Sequence, residues 1–143
     1  MKYLPLIAIL RGVTPDKILN VAEILIENGI NIIEVPLNSP NPLKSIQLLV
    51  DKYSDKALLG AGTVLKTSEV NSVFNTGAKL IVSPNTDCQV IQETKKLKMV
   101  SIPGCFTVSE ALTAIQSGAD ALKLFPASTP VSYTHLRAHE TSP

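Results

Sequence analysis

A parallel α/β barrel is the fold class this sequence predicts, on three observations. Short aliphatic runs alternate with amphipathic stretches through the first 130 residues. Several runs are nearly continuous in Ile, Leu and Val, the pattern of strands covered on both faces. Polar residues recur at the C-terminal ends of those runs, where barrel enzymes gather their active sites.

Taken in order, the first run is Leu6–Leu10, closed by Arg11-Gly12. Thr14-Pro15 offers an N-cap and a first-turn proline. Ile18, Leu19, Val21, Ala22, Leu25 and Ile26 make one apolar helix face, and Gly29 supplies the stop. The next runs are Asn31–Val35, Ala57–Ala61, Lys79–Val82 and Met99–Ile102, with a helix beginning near Ser68 and ending at Gly77. Thr107-Val108-Ser109-Glu110 is a capping box for a helix that stops at Gly118, and Ala121–Phe125 is the sixth run. Gly29-Ile30, Gly77-Ala78 and Gly118-Ala119 each close a helix ahead of a strand, a weak internal repeat. Strand ends recur about every 20–26 residues, the length of one βα unit. Six strands and five helices in alternation leave two architectures. A doubly wound sheet would carry a Gly-rich nucleotide fingerprint in its first turn, and Leu10-Arg11-Gly12-Val13 is not one. The expectation is therefore an incomplete (β/α)8 TIM barrel.

The 143 residues are 45% hydrophobic and 17% charged, with a formal net charge of +1, which describes one ordinary globular domain. Thirteen basic and 12 acidic residues are interspersed without blocks, so neither a nucleic acid nor a membrane is expected as a partner. No apolar run approaches the ~18 residues that span a bilayer. Arg11 interrupts the N-terminal apolar stretch before any cleavage pattern, a poor signal peptide. Cys88 and Cys105 are expected as free thiols in a reducing cytoplasm.

Four strand ends carry polar groups: Arg11, Glu34, Gly60-Ala61-Gly62-Thr63 and Lys123. A barrel brings these to one mouth. Glu34 lies within Ile32-Ile33-Glu34-Val35 and Lys123 within Ala121-Leu122-Lys123-Leu124-Phe125, and charges among aliphatic side chains are costly unless paired or used. A Glu34–Lys123 pair is either a structural salt bridge or an acid/base beside a nucleophile. No histidine precedes His135 and no acidic or Cys cluster has ligand spacing, so neither a metal nor another cofactor is expected, and Ser/His/Asp catalysis is excluded. A lysine desolvated in an apolar pocket attacks a ketone as the free amine, and a nearby carboxylate moves the protons. Arg11 suits an anionic group, carboxylate or phosphate, and Thr63 adds a hydroxyl on a Gly-rich turn.

The segments Ile7-Ala8-Ile9-Leu10-Arg11-Gly12, Glu34-Val35-Pro36-Leu37-Asn38-Ser39-Pro40, Gly60-Ala61-Gly62-Thr63-Val64-Leu65, Ser83-Pro84-Asn85, Ile102-Pro103-Gly104 and Leu122-Lys123-Leu124-Phe125-Pro126-Ala127-Ser128 resemble the KDPG/KHG aldolase family. That resemblance implies a class I, metal-independent lyase that splits phosphorylated keto-deoxy sugar acids into pyruvate and glyceraldehyde 3-phosphate. It implies Lys123 as the Schiff-base lysine and Glu34 as the general acid/base. Arg11, Thr63, Pro84 and Phe125 match substrate-binding positions, and the intact enzyme is implied to be a cytoplasmic homotrimer. Pro36 and Asn38 stand where the gluconate branch has Thr and Arg, so the segment looks more like the 2-dehydro-3-deoxy-6-phosphogalactonate branch, in a pocket relying on Arg11 for the anion. The alternatives are the gluconate and 4-hydroxy-2-oxoglutarate activities, a phosphate-binding barrel isomerase or synthase without an imine, and an inactive chain.

The resemblance runs from about Leu4 to Ser128. Two expected domains follow: a partial barrel over 1–130, and a foreign or disordered tail over 131–143 that holds His135 and His139 at i, i+4. The last two strands and the Gly-rich phosphate loops of such barrels are expected to be missing.

Overall fold

The computed structural model describes residues 4–127. The expected tail, with His135 and His139, lies outside the described residues. Among the described residues seven strands and five helices follow in this order: β1 (Ile7–Ile9), α1 (Pro15–Glu27), β2 (Ile32–Pro36), α2 (Pro42–Tyr53), β3 (Leu58–Gly62), α3 (Thr67–Phe74), β4 (Leu80–Val82), α4 (Cys88–Lys96), β5 (Val100–Ile102), β6 (Gly104–Cys105), α5 (Val108–Gln116) and β7 (Lys123–Leu124).

Every paired strand is parallel to its neighbour, and β1 to β5 form one sheet in chain order. A doubly wound sheet reverses strand order at its switch point; an order that never reverses winds one way, as a barrel does. The sheet and the helices enclose one core, with Ile18 of α1, Ile33 of β2, Ile46 and Leu49 of α2, and Leu80 and Ile81 of β4 fully buried. On β2 and β3 everything after the first residue is buried, as their aliphatic runs predict. β1 and β7 differ from that expectation, leaving Ile7, Ile9 and Leu124 exposed. Each is the outer strand of the arc, with a hydrogen-bonded neighbour on one side only.

The fifth run forms β5, and a further short strand, β6, follows it one residue later. Pro103 has no N–H to donate, and it divides β5 from β6. The chain nevertheless continues past it: Asp120 N–H donates to Ser101 O (3.0 Å), Lys123 N–H to Pro103 O (2.9 Å) and Phe125 N–H to Cys105 O (3.0 Å). The sixth run thus docks along one interrupted path, which places Lys123 opposite Gly104, two residues beyond the end of β5.

The helix ends follow the sequence closely. Gly29, Gly77 and Gly118 all take a left-handed φ, as the repeat requires. At α5 Thr107 Oγ1 accepts from Glu110 N–H (3.2 Å), while Glu110 Oε2 accepts from the N–H groups of Thr107 (2.8 Å) and Phe106 (2.9 Å). These donors hold the Glu110 carboxyl below the usual glutamate range. Thr14 has the extended backbone of an N-cap, but its hydroxyl caps no backbone N–H of α1.

Candidate active site

Glu34 belongs to the middle of β2, not its end, because the strand runs on to Pro36. Only 2% of it is exposed, and Oε2 has no hydrogen-bond partner. The neighbouring strand explains how an ionisable group fits there. In the β2–β3 register Pro36 faces Gly62, and a Cβ built on Gly62 would collide with Glu34 Oε2 and Cδ. The carboxylate therefore occupies the volume that a side chain at position 62 would fill. It leans along β3 toward the strand's C-terminal end. Burial pushes the Glu34 carboxyl above the ordinary glutamate value, and the charges of Lys123 and Arg11 oppose that rise.

Lys123 opens β7 and is half-buried, with Nζ 4.8 Å from the centroid of the Phe125 ring. The Lys123–Phe125 contact is of cation–π type. A cleft of about 230 Å³ is lined by Glu34 and Lys123 together with Ile7, Ile9, Val82, Ile102 and Leu122. Two polar groups thus share an aliphatic-walled cleft, though they are 89 residues apart in sequence. Among the described residues Glu34 and Lys123 form no ion pair. The structural salt-bridge reading of the two residues is therefore not what the geometry displays.

Arg11, Thr63, Pro84 and Phe125 are not part of that lining. Arg11 follows Leu10, whose N–H donates to Glu34 O (2.9 Å), and its charge acts on the Glu34 carboxyl. Its Nη1 donates to Asn38 Oδ1 (2.8 Å). Thr63 is the first residue beyond β3 and holds a left-handed backbone at φ 58°. That is a strained conformation for a β-branched residue, of the kind that clusters at functional sites. Pro84 follows β4 by two residues, and its carbonyl lies so close to Gly104 that position 104 has no room for a side chain. No group of three or more His, Cys, Asp or Glu able to hold a metal occurs among the described residues. No helix there is long and apolar enough to cross a membrane. Cys105 is buried on β6 and Cys88 half-buried at the start of α4, both free thiols. Reading the sequence alone missed the aliphatic walls, Val82, Ile102 and Leu122. Their signal was present: each ends a strand run or adjoins the lysine.

A single-wound parallel arc of βα units that brings a lysine and a buried carboxylate to one cleft has the architecture of a βα barrel. Comparison with known proteins narrows that class. The family model for KDPG and KHG aldolase matches residues 1–139, and the chain belongs to that family. It is 50% identical over 125 residues to 2-dehydro-3-deoxy-6-phosphogalactonate aldolase of Escherichia coli K12, a match covering 87% of this chain and 61% of the relative. The native KDPGal structure superposes with a TM-score of 0.89 at 46% identity, over 99% of this chain and 69% of that one. KDPG aldolase of Legionella pneumophila, solved with pyruvate captured as a covalent carbinolamine intermediate, gives a TM-score of 0.84 at 30% identity, over 96% of this chain and 66% of that one. The chain spans about three fifths of the length of the curated relatives it matches.

Proposed function

We propose that the chain serves a class I aldolase reaction, cleaving 2-dehydro-3-deoxy-6-phospho-D-galactonate to pyruvate and D-glyceraldehyde 3-phosphate through a Schiff base on Lys123. The observation that carries this reading is the shared cleft, in which buried Glu34, its Oε2 without a hydrogen-bond partner, and Lys123 line one space with aliphatic walls.

Lys123 Nζ, as the free amine, attacks the C2 ketone and water leaves, giving the imine. Glu34 takes the proton of the C4 hydroxyl; the C3–C4 bond breaks, its electron pair passes into the imine as an enamine, and the aldehyde departs. The enamine takes a proton back at C3 from the Glu34 carboxylic acid, and water hydrolyses the imine to pyruvate and free Lys123. A carboxyl whose burial favours the neutral form suits both halves of that proton cycle. Arg11 supplies a charge for an anionic end of the substrate, and Thr63 a hydroxyl. The galactonate rather than gluconate assignment is supported by the 50% identity to the Escherichia coli galactonate enzyme, against 30% to the Legionella gluconate enzyme. A cytoplasmic homotrimer is the form the family resemblance implies.

Borohydride reduction in the presence of pyruvate tests the mechanism. One reduced pyruvate is expected per chain, mapped by peptide mass to Lys123 and absent from Lys123→Met. Cleavage that persists in the folded Lys123→Met protein, with no adduct, would overturn the imine and favour acid/base chemistry at the same site.

A further inference from the structure

The loops that follow β1 and β2 are tied together by a pair of hydrogen bonds. Gly12 N–H donates to Ser39 Oγ (3.1 Å), and one residue earlier on each side Arg11 Nη1 donates to Asn38 Oδ1 (2.8 Å). The loop after β2 is itself fixed at both ends of this short stretch. Leu37 N–H donates to Gly62 O on β3 (2.9 Å), Ser39 N–H turns back to Pro36 O (2.9 Å), and Ser39 is buried. Asn38 is therefore an exposed amide on a rigid footing, holding an exposed arginine. Its acceptor is neutral, and among the described residues Arg11 forms no ion pair. The guanidinium is held in place by a neutral acceptor, with no carboxylate bonded to it.

We propose that Asn38 is a positioning residue that aims Arg11 at an anionic group of the substrate, carboxylate or phosphate, and that its neutrality keeps the arginine charge available. The inference rests on the anion-binding reading of Arg11 but not on the imine. A carboxylate at position 38 would hold Arg11 at least as firmly by a charge-assisted bond, yet would neutralise it. A merely structural tie between the loops would be indifferent to that change or improved by it. Position and charge are thereby separable.

The test is the Arg11 side-chain Nε–H resonance, titrated with inorganic phosphate in one arm and with lactate, a carboxylate that cannot form an imine, in the other. The arm that shifts the resonance at lower concentration identifies the anion. Asn38→Ala should need about tenfold more anion, the lower end of what one lost hydrogen bond to a charged group costs. Asn38→Asp should bind more weakly still near neutral pH. In pyruvate trapping or cleavage, both variants should raise the half-saturating concentration and leave the maximal rate within about threefold. Asn38→Asp binding anion as well as wild type, Asn38→Ala unchanged, or no anion moving the Arg11 resonance would each overturn the inference. An Arg11 response that follows this order in a chain that traps no pyruvate upholds the inference and removes only the imine.

Discussion

Placing a methyl group on Gly62 is the sharpest perturbation the site offers. A Cβ there would overlap Glu34 Oε2 and Cδ and lie 2.5 Å from Oε1, against 3.4 Å or more for an ordinary contact. Even the more distant oxygen must retreat by about an ångström, and displacement on that scale costs a positioned catalytic group about a hundredfold in rate. General acid/base catalysis supplies about 10²–10⁴-fold altogether, so Gly62→Ala should lower kcat by about 10²-fold or more. Pyruvate trapping at Lys123 should persist, since the lysine comes from β7. The same overlap should destabilise the fold by about 1–3 kcal/mol, the usual cost of overpacking. The decisive assay is a double-mutant cycle with Glu34→Ala, read by thermal or urea unfolding. In the Glu34→Ala background the new methyl group enters space the carboxylate has vacated, and most of the cost should disappear. An equal cost in both backgrounds, or a Gly62→Ala enzyme within threefold of wild-type kcat, would refute the reasoning.

Glu34→Gln should change stability in a pH-dependent way. The folded carboxyl sits above its ordinary value, so the native state holds the proton more tightly than the unfolded chain. The stability linked to that proton is fully present below the unfolded value, near pH 4.3, and is lost as pH rises through the folded one. The Tm of Glu34→Gln relative to wild type should therefore rise from about pH 4 to about pH 8, and a difference that stays flat or falls counts against the burial argument. Asp120→Ala should cost about 1–3 kcal/mol in denaturant unfolding. Asp120 Oδ2 accepts from both Lys95 Nζ (2.6 Å) and the N–H of buried Ser101 (2.8 Å), and the second donor would be left without a partner. A loss below about 0.5 kcal/mol would show that this junction between α4 and the last strands holds little.

The element types were legible because the sequence states them locally. Pro15 at the first turn of α1, the Thr107–Glu110 box and the left-handed glycines behave as their chemistry demands. What escaped was whatever depends on register. Glu34 reads as a strand end because Pro36 closes the aliphatic run, yet β3 pairs with β2 as far as the proline and draws it into the sheet. That Gly62 makes room for Glu34 follows from the offset between two strands 26 residues apart, which no single segment encodes. The Arg11–Asn38 bond spans 27 residues and joins two loops whose composition gives no hint of contact. Lys123 and Glu34 could be named in advance because a charge inside an aliphatic run is conspicuous by itself; their partners are ordinary residues made special by place.

The unreversed strand order has a consequence for how the chain acquires its structure. Each strand from β2 to β5 bonds to the one just before it, and β7 to β6, across 19 to 26 residues. Closing a loop of that length is entropically cheap, and each doubling adds only about 0.6 kcal/mol. During synthesis at about 5–20 residues per second, a new βα unit emerges every few seconds onto an edge that its predecessor has just completed. Assembly can therefore proceed from the N-terminus in step with the ribosome, with no strand waiting for a partner made much later. β1 keeps one edge open in the five-stranded sheet, and its Ile7 and Ile9, which line the cleft, remain exposed.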